Sequence, residues 1–408
     1  MKLVKRLGEA GNSNSKSKGD CHVKIEVKEA EGIDFVLNSK VKVFYASSIE
    51  QLCRSVLVFF NIKNALVEIN DNGALPYVLA ARIEAAVKAI MQTDKDFLLD
   101  LIPENNYQST KRHFRLSRLY LPGNTPYMML NAGIHQPNAI ILDLEDSVSI
   151  QKKDEARILV RNALRSQNFY GVERMVRINQ GQRGVEDLSY LIPHNVHLIL
   201  IPKCETVDGV LLVEKEIARL KERHAIVHDI YLMPIIESAL GVENAFEIAS
   251  SSLNIAAMAI GLEDYTADIG VQRSEGAIES LYARMRIVNA CNAANIQPID
   301  SVFSDVADME ALALNVKRSK ELGFQGMGCI HPRQISVIHE NFAPDKKEIE
   351  KAKKIILAFD EAERNKIAVV SIGSKMIDPP VVKRQLKILE LAIEMKLVPV
   401  NWRDCDEA

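Results

Sequence analysis

The chain has 408 residues, 47% hydrophobic and 26% charged, with a formal net charge of −3 at pH 7; this suits a soluble globular protein of about two or three domains and excludes the basic surplus of a nucleic-acid binder. No apolar run approaches the roughly 18 residues of a membrane span, and the opening MKLVKRLGEAGNSNSKSKGD lacks the apolar stretch of a secretory signal. Cys21, Cys53, Cys204, Cys291, Cys329 and Cys405 show no CxxC spacing, so free thiols in a reducing cytoplasm are expected rather than disulfides or zinc.

Residues 1–20 are rich in Gly, Ser, Asn and Lys and read as a mobile loop. HVKIEV and then FVLNSKVKVF alternate in the manner of half-buried strands. Ser48-Ile49-Glu50-Gln51 fits a capping box opening a helix to about Phe60. NALVEIN reads as a strand, Asp71-Asn72-Gly73 as a turn, and Leu75–Ile90 as an Ala-rich helix. Residues 1–92 therefore form a small α+β unit of order ββαβα, and the polar stretch 93–114 a linker.

From residue 115 the pattern changes. Apolar runs recur at RLYLPG, AIILDLED, ERMVRIN, HLILIPK, IYLMPIIE, AMAIGLED, QPIDSVF and QGMGCIHP, with helical spacing between them. Continuous apolar runs are what strands buried on both faces look like. Eight such alternations indicate an α/β fold, a (β/α)8 TIM barrel over 115–345, whose chemistry belongs at the C-terminal strand ends. An open doubly wound sheet has the same periodicity, although no GxGxxG follows the first strand. Residues 346–408 form a C-terminal helical extension or lid.

The strand ends carry the candidate chemistry. They are Asp143, Glu145 and Asp146; Arg177; Lys203; Glu237; and Glu263 with Asp264. Carboxylates converging on one mouth repel unless a cation or a proton lies between them, and Mg2+ takes one or two carboxylates plus water and substrate oxygens. An arginine beside them suits a small oxyacid, which it grips in a bidentate fork; a structural partner of the acid cluster is the alternative role for Arg177. Taken singly, these acids could instead cap the following helices. Cys329 and His331 read as packing and turn residues.

Two resemblances add to this reading. VEINDNGALPYVLAARIEAAVKA and EAGN…SKGDCHVKI resemble the citrate lyase acyl carrier (γ) subunit, in which a serine bears a phosphoribosyl-dephospho-CoA arm. The position matching the modified serine is Lys18, and Ser17 is the nearest serine, with Ser13 and Ser15 behind it. Ser17 is thus the candidate attachment point, and an unmodified polar loop is the alternative.

The second covers about residues 111–395: RLSRLYLPGN, LDLEDSV with KKDEAR, VRIN, PIIESALG, GLEDY, IDSVFSDVAD, GFQGMGCIHPRQI and VVSIGSKMIDPPVVKR. These resemble the citrate lyase β subunit and the malyl-CoA-type lyases. The resemblance implies a Mg2+-dependent lyase in which Glu237 and Asp264 hold the metal, Arg177 contacts the keto-acid, and Glu145 and Asp146 support the metal's waters. It also implies that Arg115 helps hold the phosphates of a CoA-like arm, and that Asp378 lies on a lid over a neighbouring subunit's site in a homotrimer. Asp378 beside two prolines also fits an ordinary turn. The implied substrate is an acyl thioester, most simply citryl on the carrier, and an implied partner is a citrate lyase α subunit (a CoA-transferase). Two rival readings stay open: a lyase for free malyl-, citramalyl- or citryl-CoA, and a non-catalytic carrier or assembly subunit.

Overall fold

A computed structural model of the protein describes residues 2–12, 17–274, 276–364, 370–372 and 375–403. The chain divides into two compact units, Met1–Ile335 and Ser336–Ala408.

The first unit opens with a four-stranded sheet: β1 (Leu7–Gly11), β2 (Cys21–Val27), β3 (Ile33–Ser39) and β4 (Ala65–Asp71). Its order is β1-β2-β4-β3, with only the β3–β4 pair parallel. Cys21, Val23 and Ile25 of β2 and Ala65, Val67 and Ile69 of β4 alternate inward, as the period of two requires. Helices α1 (Lys42–Phe59) and α2 (Pro76–Ile90) complete it.

Two expectations are corrected here. Leu7–Gly11, expected to be loop, is a strand paired with β2. Its buried residues are small: a β-carbon on Gly8 would come within 2.2 Å of the Ala86 carbonyl oxygen, so only glycine lets β1 lie against α2. Helix α1 starts before the proposed capping box and places Ser48 in its interior. Val43 and Phe44, which read as strand, lie with Tyr45 in its exposed first turns. Ser13, Ser15 and Cys405 lie outside the described residues.

The barrel strands are β5 (Ser117–Pro122), β6 (Ala139–Asp143), β7 (Glu173–Arg177), β8 (Leu198–Ile201), β9 (Tyr231–Ile236), β10 (Ala257–Ile260), β11 (Gln297–Ile299) and β12 (Met327–Cys329). All pair in parallel, with β12 beside β5. A parallel bridge from Asp300 to Met327 and a 2.8 Å hydrogen bond from the Asp300 N–H to the Gly326 carbonyl join the two remaining edges. This makes a closed barrel rather than an open sheet. Its lumen is filled by Ile141, Met175, Leu200, Met233, Ile235 and Ile299, among others.

The barrel helix α3 (Lys153–Ser166) packs on α2, so the N-terminal sheet domain is seated on the barrel. Buried ions span that contact. Arg82 on α2 holds Asp20 through two 3.0 Å bonds and lies 3.3 Å from Glu155 on α3, while Arg161 on α3 grips Glu84 on α2 at 2.6 and 3.0 Å. Such pairs are costly to desolvate, and breaking one leaves a bare buried charge. They therefore fix the geometry of the contact. Segment 93–114 is packed rather than free at Asn105, whose side-chain amide donates to the carbonyls of Leu164 and Gln167.

In the second unit, α5 (Lys346–Arg364) and α6 (Pro379–Glu394) share a core that includes Ile349, Ile356, Val382, Leu389 and Trp402. In the barrel, α4 (Met309–Leu322) buries Leu312 and Val316, one turn apart on one face.

Candidate active site at the barrel mouth

The loops after the strands enclose a cavity of about 890 Å3 lined by Asp143, Asp146, Arg177, Glu237 and Asp264, with Arg118 and Tyr120 from the first strand. The strand-end residues singled out in the sequence thus meet at one end of the barrel, where a TIM barrel carries its chemistry.

Arg177, the last residue of β7, organises the acids. Its Nε and Nη2 donate to the two oxygens of Asp143, both at 2.7 Å, and Nη1 lies 2.9 Å from Glu145 and 3.6 Å from Asp146. Burial works against its charge, but the Asp143 hydrogen bonds and charge outweigh that and hold it firmly protonated. In turn, Arg177 more than offsets the burial of Asp143, whose carboxyl lies below the usual range. The fork expected to meet a keto-acid is therefore committed to Asp143. Glu145 is pushed upward, first by burial and then by its neighbour Asp146. Gln180 donates to Glu145 at 2.6 Å.

Lys203 follows β8 in a left-handed conformation (φ 47°). Its N–H donates to Glu237 Oε2 at 2.9 Å, and its ammonium lies 3.3 Å from Asp264, 3.9 Å from Glu145 and 4.0 Å from Asp146. Glu237, at the end of β9, is only 6% exposed. Burial, with the charges of Asp264 and Glu145 adding to it, pushes its carboxyl up to about 7 despite the Lys203 N–H. Gly261 stands against it: a β-carbon there would lie 2.5 Å from Glu237 Oε1. That glycine leaves one carboxylate edge open.

This arrangement fits a hard divalent cation. Among the described residues no three carboxylate, His or Cys side chains form a ready cluster. Glu237 and Asp264 instead offer two oxygen ligands on an open cavity, the form in which Mg2+ leaves room for water and substrate.

Arg115 requires a correction. It precedes β5, at the opposite end of the barrel from the mouth, and is 1% exposed. Its Nε and Nη2 meet Glu173 at 2.8 and 2.7 Å, and Nη1 takes Gln297 at 3.0 Å and two carbonyls. A guanidinium so enclosed has no free donor face for a phosphate. Asp378 belongs to the second unit, where its Oδ1 accepts from the Val381 N–H at 3.2 Å as the N-cap of α6. Ser17 is half-buried in the loop that leads to Asp20. Two residues on, a β-carbon at Gly19 would lie 3.7 Å from the β-carbon of Tyr127, which lines the cavity. At Gly19 the carrier-like loop thus approaches a residue that lines the mouth.

Arg118, Tyr127, Gln180 and Gly261 join the site only in the structure. The alternation in RLYLP could have found the first, since Arg118 and Tyr120 share the lumen face; the others have no local signal.

Comparison with known proteins agrees with this architecture. Residues 116–332 match the profile described as HpcH/HpaI aldolase/citrate lyase, and residues 10–90 match an acyl-carrier profile described as malonate decarboxylase delta subunit. The chain is 38% identical to the citrate lyase subunit beta of Haemophilus influenzae over 283 residues, 68% of this chain and 97% of that protein. It is 30% identical to the human mitochondrial citramalyl-CoA lyase over 339 residues, 79% and 99% of the two chains. Among solved structures, CitE from Mycobacterium tuberculosis in complex with magnesium, acetoacetate and coenzyme A superposes with a TM-score of 0.56 at 26% identity, covering 69% of this chain and 99% of that one. The chain belongs to the HpcH/HpaI aldolase/citrate lyase family and carries an acyl-carrier-like domain ahead of its barrel.

Proposed function

We propose that the chain is a Mg2+-dependent carbon–carbon lyase that splits a citryl thioester, carried on its own N-terminal domain, into oxaloacetate and an acetyl thioester. The observation that carries this reading is Glu237, a buried carboxylate with no cation in an ion pair with it among the described residues, beside Asp264 on a cavity whose lining residue Tyr127 is approached by the carrier-like loop at Gly19. Glu237 and Asp264 would hold the Mg2+, which would supply Lewis-acid polarisation of substrate oxygens.

The remaining work falls to the side chains. Arg177 fixes Asp143 and Glu145, so the acids do not swing away from one another as charge moves at the mouth. The Lys203 ammonium adds the positive charge that favours a developing alkoxide. In cleavage, the hydroxyl loses its proton, the carbon–carbon bond breaks as the ketone forms, and the acetyl thioester departs as an enolate that must gain a proton. Asp378, on a lid from a neighbouring chain of a trimer, is the proposed donor. Ser17 is the proposed attachment point of a phosphoribosyl-dephospho-CoA arm, and a CoA-transferase subunit is the proposed partner that loads it.

A second reading, a lyase for free CoA thioesters, is favoured by the match along 99% of the human citramalyl-CoA lyase. Intact mass of protein purified from its native host, together with turnover on citryl-CoA, decides between them. The carrier-linked reading expects a CoA-sized adduct on a peptide containing Ser17. An unmodified protein with full turnover on free citryl-CoA selects the second reading, and no cleavage of any hydroxyacyl thioester with saturating Mg2+ sinks both.

A further inference from the structure

Arg82, Arg115 and Arg161 are fully buried and each meets a carboxylate, while the equally buried Arg174 is held by three carbonyls and the His197 ring. Arg118 is 1% exposed and meets no carboxylate among the described residues. It projects from β5 into the barrel lumen, two residues before Tyr120 and therefore on the same face. Its Nη1 lies 3.0 Å from the Met233 sulfur, a weak acceptor, and its Nε is buried without a hydrogen-bond partner. Its side chain also lines the cavity that holds Glu237, Asp264 and Arg177. Burial lowers its pKa, as expected of a cation lacking a counter-ion. An isolated guanidinium in a barrel core is costly, and the cost is recovered only when an anion reaches it.

The rest of the mouth narrows the choice of anion. The fork of Arg177 is taken by Asp143, and Lys203 stands among Glu145, Asp146 and Asp264. A keto-acid with one carboxylate can place it beside the metal ligands. A second carboxylate is repelled by the acids there and, among the described residues, has Arg118 as a cavity-lining cation without a carboxylate partner.

We infer that Arg118 binds the second carboxylate of a dicarboxylic substrate half, and so selects hydroxyacyl thioesters whose keto-acid product is a dicarboxylate over those releasing a monocarboxylate. The inference rests on the lyase reading and names its substrate class. The physical basis is the asymmetry of buried polar recognition: a dicarboxylate completes charge-assisted hydrogen bonds to the guanidinium, whereas a monocarboxylate leaves it bare.

The test is calorimetric titration of oxaloacetate and of pyruvate, each with saturating Mg2+, into wild-type protein, Arg118→Met and Arg118→Lys. Methionine keeps an unbranched chain of similar reach and removes the charge. The expected result is roughly a 10–100-fold loss of oxaloacetate affinity in Arg118→Met, with pyruvate affinity changed by less than about twofold. Arg118→Lys, which keeps the charge and loses the fork, falls between. It carries the test if circular dichroism shows Arg118→Met unfolded. Equal losses for both ligands, or no loss for either, overturns the role of Arg118 while leaving a thioester-cleaving wild type intact as a lyase. A wild type that binds neither keto-acid and cleaves no thioester overturns the lyase reading as well.

Discussion

The two ends of the barrel use the same ionic residues to opposite effect. At the N-terminal ends of the strands, both oxygens of the buried Glu173 accept from the Nε/Nη2 edge of Arg115, and Arg174 is met by the His197 ring and by the carbonyls of Asn105, Tyr107 and Asn195. Burial and the Arg174 charge keep His197 neutral, pushed down to about 3. At the C-terminal ends, Asp143, Glu145, Asp146, Glu237 and Asp264 outnumber the cations about them, with Arg177 and Lys203 in ion pairs and Lys153 on the Leu144 and Glu145 carbonyls. One end is closed, its guanidiniums enclosed by Glu173, carbonyls and an imidazole, whereas the other has a surplus of acid and an open cavity. Acidic charge gathered at an open cavity, in a fold that encloses its charged groups at the other end, marks where a substrate or metal completes the arrangement.

The largest expected effect comes from deepening that difference. Glu237→Ala or Asp264→Ala removes a proposed metal ligand from the mouth and leaves the lumen packing untouched. Turnover with saturating Mg2+ should fall at least about 1,000-fold, while the melting temperature stays within a few degrees of wild type. Near-normal turnover in either variant would rule out the metal assignment.

The closed end should respond in the opposite sense. Arg115→Met leaves Glu173 buried without its counter-ion, which typically costs about 3–5 kcal/mol. Urea denaturation should show that loss, whereas turnover per folded molecule and thioester affinity should match wild type. Loss of affinity without loss of stability would instead return Arg115 to a phosphate-binding role.

What the sequence revealed follows the same division. The eight barrel strands were legible because strands buried on both faces must be apolar throughout, and the carboxylates were legible because they end those runs. β1 was not, because Gly8, Ala10 and Gly11 bury too little side chain to show a period. The start of α1 was obscured by the exposed Val43, Phe44 and Tyr45, which have strand-like chemistry but face solvent. Arg115 and Arg118 lie three positions apart, and only the structure places one in a closed salt bridge and the other, unpaired, on the cavity. The Asp20–Arg82–Glu155 chain that seats the carrier-like domain joins residues far apart in sequence and has no local pattern.

The smallest expected effect isolates the surplus charge itself. In the folded chain, burial first, and then Asp264 and Glu145, raise the Glu237 carboxyl from 4.5 to about 7. Below pH 4.5 both folded and unfolded chains hold that proton, so Glu237 does not alter stability. Between 4.5 and about 7 the unfolded chain has released the proton while the folded chain retains it, so stability falls as pH rises. Above about 7 both are ionised and the penalty is constant. Glu237→Gln keeps the shape and never ionises, so its melting temperature should rise relative to wild type from pH 5 to pH 7 and hold that margin at pH 8. Mg2+ reverses the order, because it competes with the proton for the same carboxylate: wild type should gain more from the metal as pH rises, while the glutamine variant gains little at any pH. Thermal melts at pH 5, 6, 7 and 8, with and without Mg2+, read both trends. Parallel curves for the two proteins in the absence of metal would mean that Glu237 is compensated in solution, and the contrast between the barrel's two ends would then rest on Asp264, Glu145 and Asp146 alone.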